Sequence, residues 1–322
     1  MKIKKFFLII VCLICSGNVI YAQNKKDSLL AVPDKVFGFC VPSLNENPAG
    51  AGFFNQHCLN ISGFALSPEM PEYPYSGGIS YDAAPLKSKR WGIGADYSYY
   101  RFSNRKINSG TLAFSYLKKC KENKMYLRAG VSLSYIDHSN DYKSAYYFGD
   151  MVDPVYGFVY ATSDMYYYHK DTSEYAGVYP NAGVCLYGKN FLLGISAKNI
   201  FQIYLEGDSA KVENKPGYLS KPSIRESFAY SIVINSSFSV IPKLDLNISQ
   251  HGFTTIPAVM LSWKKMLMCS LSYTPYRAIY TGIGFQWKNR FMFTASSGFC
   301  LDKEVREAFG LSGINTGLRI QL

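Results

Sequence analysis

"KMYLRAGVSLSY", residues 124–135, separates into two rows when read in twos. Met125, Leu127, Ala129, Val131, Leu133 and Tyr135 make an apolar row, while Tyr126, Arg128, Gly130, Ser132 and Ser134 make a small, hydrophilic one. A period of two belongs to a strand with one face in an apolar medium. The alternation returns in "WGIGADYSYY" (91–100), where Trp91, Ile93, Ala95, Tyr97 and Tyr99 oppose Gly92, Gly94, Asp96 and Ser98. It returns again in "KLDLNISQ" (243–250), with Leu244, Leu246 and Ile248 against Asp245, Asn247 and Ser249. One such segment suits a sandwich as well as a barrel.

The whole set decides between them. Alternating segments fall at about 57–66, 75–83, 91–102, 109–117, 124–136, 178–187, 191–201, 227–239, 244–252, 255–263, 267–274, 278–287, 291–299 and 313–322. That is fourteen, and single-chain bacterial membrane barrels have even strand numbers. Taking the second gap and every second one after it gives "PLKSKR", "KKCKENK", "GKN", "IPK", "KKM" and "KNR", all short and all basic. The interleaved gaps include the long ones, 137–177, 202–226 and 300–312, with shorter ones near 67–74, 103–108 and 275–277. Short periplasmic turns and longer extracellular loops are the asymmetry of an outer-membrane barrel. The fold expected is therefore all-β, a transmembrane outer-membrane β-barrel of about 14 antiparallel strands.

Composition points the same way. Aromatic residues are 16% of the 322, with 27 Tyr and 21 Phe, and charged residues only 18%. Mean hydropathy is nevertheless −0.05, because alternation dilutes the apolar row of every strand. "MKIKKFFLIIVCLICSGNVIYAQ" has the basic start, apolar run and small-residue end of a secretory signal, with cleavage expected between Ala22 and Gln23. The division expected is a signal peptide at 1–22, a periplasmic or lumenal lead-in at 23–56, and the barrel at 57–322. "GINTGLRIQL" (313–322) alternates to Leu322, as expected of a last strand that pairs with the first and leaves the sheet no edge.

At "NENPAGAG" (45–52) the chain resembles the PorP/SprF family of Bacteroidetes type IX secretion membrane proteins. Its members carry an Asn-Pro-Ala-aromatic-Ala-Gly element shortly before the first strand. Asn47, Pro48, Ala49, Ala51 and Gly52 match that element, and Gly50 stands where the aromatic residue is usual. "YSGGISYDAAPLKSKRWGIGADYSYYRFSN" and "PNAGVCLYGKNFLLGISAKNIFQ" are also similar, so the resemblance covers most of residues 36–205. It implies an outer-membrane barrel that helps export or surface-attach cargo proteins bearing a type IX C-terminal signal. Periplasmic components of that machinery would be its partners.

Catalytic and cofactor chemistry find no foothold. His57, His138, His169 and His251 are far apart, and no local motif joins a nucleophile to a base. "GIGADY" (92–97) and "GIGFQW" (282–287) lack the third glycine and the helix of a dinucleotide site, and read as lumen-facing strand glycines. Cys40, Cys58, Cys120, Cys185, Cys269 and Cys300 are scattered without metal-ligand spacing. They read as isolated small packers, although a secreted chain also permits a disulfide such as Cys40–Cys58. The net charge of +11 includes Lys2, Lys4 and Lys5 of the signal, and a secreted barrel does not meet nucleic acid. No enzyme, cofactor or metal is expected.

Two surface features remain. Lys87, Lys89, Arg90, Lys118, Lys119, Lys121, Lys124, Lys189, Lys243, Lys264, Lys265, Lys288 and Arg290 are expected on the periplasmic turns, as solvated lipid-headgroup partners or as a ring that docks an acidic partner. The gap 137–177 holds Asp137, Asp150, Asp153 and the run Tyr166, Tyr167, Tyr168. A loop this long is functional or disordered, and contact with a surface protein is the functional reading. Two functions follow: a non-enzymatic component of type IX secretion, or a porin-like channel for small solutes through a polar lumen.

Overall fold

A computed structural model describes residues 40, 43–54, 57–65, 75–84, 90–102, 105–120, 125–141, 152–153, 157–158, 172–206, 222–249, 252–274, 278–287, 290–301 and 313–321. Fourteen long strands dominate it. They are β1 (Cys58–Ala65), β2 (Tyr75–Ala83), β3 (Trp91–Phe102), β4 (Arg105–Cys120), β5 (Met125–Asp141), β6 (Thr172–Tyr187) and β7 (Phe191–Lys198). The second half adds β8 (Ser223–Tyr230), β9 (Phe238–Ser249), β10 (Gly252–Trp263), β11 (Leu267–Thr274), β12 (Ala278–Trp287), β13 (Phe291–Cys300) and β14 (Ile314–Gln321). Each pairs antiparallel with the next in sequence. β14 returns to β1 in a ladder from Cys58↔Gln321 to Ala65↔Ile314, so the sheet closes on itself. A closed sheet leaves no backbone edge to satisfy, which is the condition for crossing a bilayer with strands.

The alternation puts the apolar row outside. Leu112 is 70% exposed and Leu133 57%, whereas Ser132 is 5% and Arg128 0%. That inversion of an ordinary core is stable only where the exterior is hydrocarbon. All three tryptophans sit at the turn-side strand ends: Trp91 opens β3, Trp263 closes β10 and Trp287 closes β12. Trp91 packs against Phe114 and Tyr116. Amphipathic rings gathered at one level mark a membrane–water interface.

Most strand bounds follow the alternation, with differences in three places. The segment read as 227–239 runs to Tyr230, resumes at Ile232–Val233 against Val240 and Ser239, and β9 begins at Phe238 instead of 244. The turn between them is Asn235–Ser237, where the Asn235 side chain accepts from the N–H groups of Ser237 and Phe238. Pro242 had suggested a turn at "IPK", yet it pairs with Val259 inside the ladder. Secondly, β5 runs to Asp141 and β6 starts at Thr172, so the barrel wall stands tallest at β4, β5 and β6. Asp137 therefore lies in β5 and accepts from Asn108 of β4, and is not a loop residue. Finally, Ile203–Glu206 extends the wall beside β6, pairing with Val178–Ala176 within what read as a loop.

Candidate functional site

The element carrying the family-like motif is inside the barrel. Residues 43–54 form a turn, a single 3-10 turn at Pro48–Gly50, and a second turn. Asn47 sets this up: with extended φ −148° it caps Pro48–Gly50, its Oδ1 accepting from Ala49 N at 2.9 Å. Pro48 then occupies the first position, where its missing N–H costs nothing. Gly52 turns the chain back with φ +63°, a conformation open to glycine without penalty. A Cβ there would also lie 2.8 Å from both Ala83 O and Gly92 Cα.

The wall is shaped to receive this segment. A Cβ at Gly92 would overlap Ala51 O at 2.1 Å, and one at Gly94 would meet Leu44 at 2.6 Å. At Gly130 the obstruction is Pro48, and at Gly183 it is Asn47 Oδ1 at 2.1 Å. Lumen-facing glycines thus make a smooth bed on β3, β5 and β6, and the segment lies directly on the sheet backbone. Leu44, Ala51 and Ala113 form a small apolar cluster there, and Phe53 packs on Tyr187, which stacks on Tyr126.

Polar contacts complete the seat. Asn47 Nδ2 donates to Val184 O at 3.3 Å and Ile195 O at 3.4 Å. Ala51 O accepts from Ser115 Oγ and from Arg128 Nη1, both at 2.7 Å. Gly52 N donates to Asp82 Oδ1 at 3.0 Å, and Ser196 Oγ to Glu46 O at 2.7 Å. Lys198 Nζ reaches Asn45 Oδ1, and Arg225 pairs with Glu46 at 3.2 Å. Across the barrel Arg319 covers the Phe54 ring at 4.8 Å and donates to Asn60. The segment therefore touches β14 and β2 and reaches round to β8. It is a plug, and a cavity of about 220 Å³ remains between it and the wall, bordered by Leu44, Gly50, Phe54, Asp96 and Arg319.

The charged plug partners Asp82, Arg128, Lys198, Arg225 and Arg319 were not singled out from sequence. Their signal was a charge in the lumen-facing row of a strand, beside small residues such as Gly78, Gly130, Ser196, Ser227 and Gly317. A buried charge must find a partner, and in the lumen the plug supplies one beside those of the wall.

The basic residues divide. Arg90, Lys118, Lys119, Lys189, Lys264, Lys265 and Arg290 are exposed at the turn side. Lys243 is not among them: it lies in β9, faces the lumen and pairs with Asp245 at 2.7 Å. The proline that suggested a turn beside it belongs to the strand, which corrects its assignment. Lys87, Lys89, Lys121, Lys124 and Lys288 lie outside the described residues, as do Asp150, Tyr166, Tyr167, Tyr168 and the segment read as a signal peptide. Asp153 belongs to a short pairing of Val152–Asp153 with Gly157–Phe158. Cys40, Cys58, Cys120, Cys185 and Cys269 are free thiols. Among the described residues no group of His, Cys, Asp and Glu could hold a metal ion.

Three solved structures with similar strand arrangements are distant in sequence. The Pseudomonas putida toluene transporter TodX is 12% identical, with 87% of this chain and 93% of that one covered at a TM-score of 0.45. The Acinetobacter baumannii outer membrane protein Omp33 is 6% identical, with 83% and 99% covered at 0.44. The Escherichia coli outer membrane phospholipase A is 7% identical, with 83% and 93% covered at 0.35. No curated protein matches the chain. The family described as type IX secretion system membrane protein PorP/SprF matches residues 42–312, from the plug almost to the last strand. With its closed barrel, lipid-facing apolar row and lumenal Asn47–Gly52 motif, the chain is an outer-membrane protein and belongs to the PorP/SprF family of type IX secretion system membrane proteins.

Proposed function

We propose that the protein is a non-enzymatic component of type IX export, supporting secretion or surface attachment of cargo proteins, and that it acts as a closed docking barrel instead of a conduit. The match of the family over residues 42–312 carries this reading. The seated plug supports the second half of it, because a small solute meets the segment 43–54 across the turn-side lumen. The exposed cations Arg90, Lys118, Lys119, Lys189, Lys264, Lys265 and Arg290 face the periplasm on this reading. Each is screened beyond about 8 Å at physiological ionic strength, yet together they steer an acidic periplasmic component of the machinery. The loop at 142–171 is the contact for cargo at the cell surface.

The test is reversal of Lys118, Lys119, Lys264 and Lys265 to Glu, scored for cargo display and for single-channel conductance. On this reading the barrel still inserts, cargo is lost from the surface and co-purification of periplasmic components becomes more salt-sensitive. Normal cargo display with altered ion selectivity would falsify it in favour of the solute channel.

A further inference from the structure

The lipid-facing surface carries a groove whose shape follows from the cross-strand registers. On β11, β12, β13, β14 and β1, Leu267, Phe285, Phe293, Leu318 and Ile61 stand in one lateral row. Every member is large, and the row forms a ledge. Two residues further from the turns stands a row of Cys269, Ile283, Ala295, Thr316 and Gly63. Only Ile283 is large in this second row. Both rows line an apolar groove of about 690 Å³ that crosses the β1–β14 seam on the outside of the barrel.

The groove has a direction. Leu267 leaves straight from the turn Lys264–Met266, and Cys269 is about 7 Å along the strand from it. At the other end Gly63 is five residues beyond Cys58, about 17 Å along its strand. The groove therefore starts at a turn bearing two exposed lysines and climbs into the hydrocarbon. Arg290, also exposed, opens β13 on the same side. An occupant with an anionic head at the turns and a thin apolar body in the belt is an amphiphile.

We propose that this groove is a binding site for one phospholipid, with an acyl chain in the trough of Ala295, Thr316 and Gly63, held against the exposed Ile283 side chain, and the phosphate on Lys264 and Lys265. Two variants separate the halves of the site. Gly63→Phe with Ala295→Leu fills the trough; a Cβ at Gly63 meets only Thr316 Oγ1 at 3.6 Å and Ser76 O at 3.9 Å, so the wall accepts it. Lys264→Asn with Lys265→Asn removes the cations and leaves the barrel wall untouched. Asn suits the backbone there, where φ is 49° and 56°.

The full chain is purified in mild detergent, offered phosphatidylglycerol or headless diacylglycerol, and examined by native mass spectrometry. The unaltered barrel retains one phosphatidylglycerol. Filling the trough lowers retention of both lipids about fivefold or more. The lysine pair variant lowers phosphatidylglycerol alone by a similar factor. Equal retention by all three proteins means annular lipid only and overturns the site. A doubled mass that disappears on filling the trough makes a second copy the occupant, and overturns it equally.

Discussion

Asn47 uses one amide for three bonds, accepting from Ala49 N and donating to Val184 O and Ile195 O. Asn47→Ala loses the cap, about 1 kcal/mol, and both donors. Asn47→Asp keeps the acceptor but sets a carboxylate oxygen against two carbonyls, so it should unseat the plug as well. Gly183→Ala attacks the same contact from the wall side, since its Cβ would overlap Asn47 Oδ1. All three are expected to raise conductance in planar bilayers, and silence from all three would show the plug seat does not depend on Asn47. Gly50 gives the opposite case. It borders the 220 Å³ cavity at the position where the family's aromatic residue is usual, so Gly50→Tyr should fill that space, raising the heat-modification midpoint by burial of about 1–2 kcal/mol. A lower midpoint would show that the cavity is not the aromatic's place. Cys40 reports on the seat directly. Burial pushes its thiol up to about 12 from 9.0. The neutral thiol's contribution is complete below pH 9 and is lost as pH rises from 9 toward 12. At pH 8 site-resolved alkylation of Cys40 should therefore be slow, and Gly183→Ala should accelerate it.

Strands and turns separate stability from function. β5 ends at Asp141 and β6 begins at Thr172, so replacing 142–171 with a short Gly-Ser turn removes the small Val152–Asp153 pairing with Gly157–Phe158 but no ladder bond of the barrel wall. The trimmed barrel should keep its heat-modifiable gel mobility while surface retention of cargo falls. Undiminished display would make that loop a passive cover. At the other rim, the β8–β9 turn is the one short turn without a lysine or arginine: its bend is made by Asn235, whose side chain caps Ser237 and Phe238. The apolar run on either side of that Asn hid the turn, and a strand proline two residues past Val240 mimicked one. Turn chemistry held in a single Asn side chain is a weaker signal than proline in a linear reading.

The whole barrel stands without its plug. Every strand has two paired neighbours, and the seam is closed by β1 and β14, so no ladder passes through residues 43–54. Deleting those residues should leave a β-rich circular dichroism spectrum and a heat-dependent gel shift, and should open a conducting lumen. Recovery of the deleted form only as aggregate would show that the plug is needed for assembly. The lumen it exposes carries Asp82, Arg128, Lys198, Arg225 and Arg319, each now paired with plug atoms or beside them.

Alternation marked the fourteen strands and the row that meets lipid, because a strand's two faces are separated by one residue and each face declares its medium. Gap length by parity determined which rim bears the short turns. The motif at 45–52 announced the family but not its own location, since a stretch that neither alternates nor repeats carries no face. Only the tertiary structure placed it in the lumen, where Gly92, Gly94, Gly130 and Gly183, spread over three strands, come together as one bed. The run of β9 through Pro242 put Lys243 inward beside Asp245, and the long β4–β5 hairpin raised Asp137 from a loop to a ladder. Closure of the sheet also aligned Cys269, Ile283, Ala295, Thr316 and Gly63, from the two ends of the barrel sequence, into one row. Registers between strands far apart in the chain are set when the sheet closes, and no local pattern contains them.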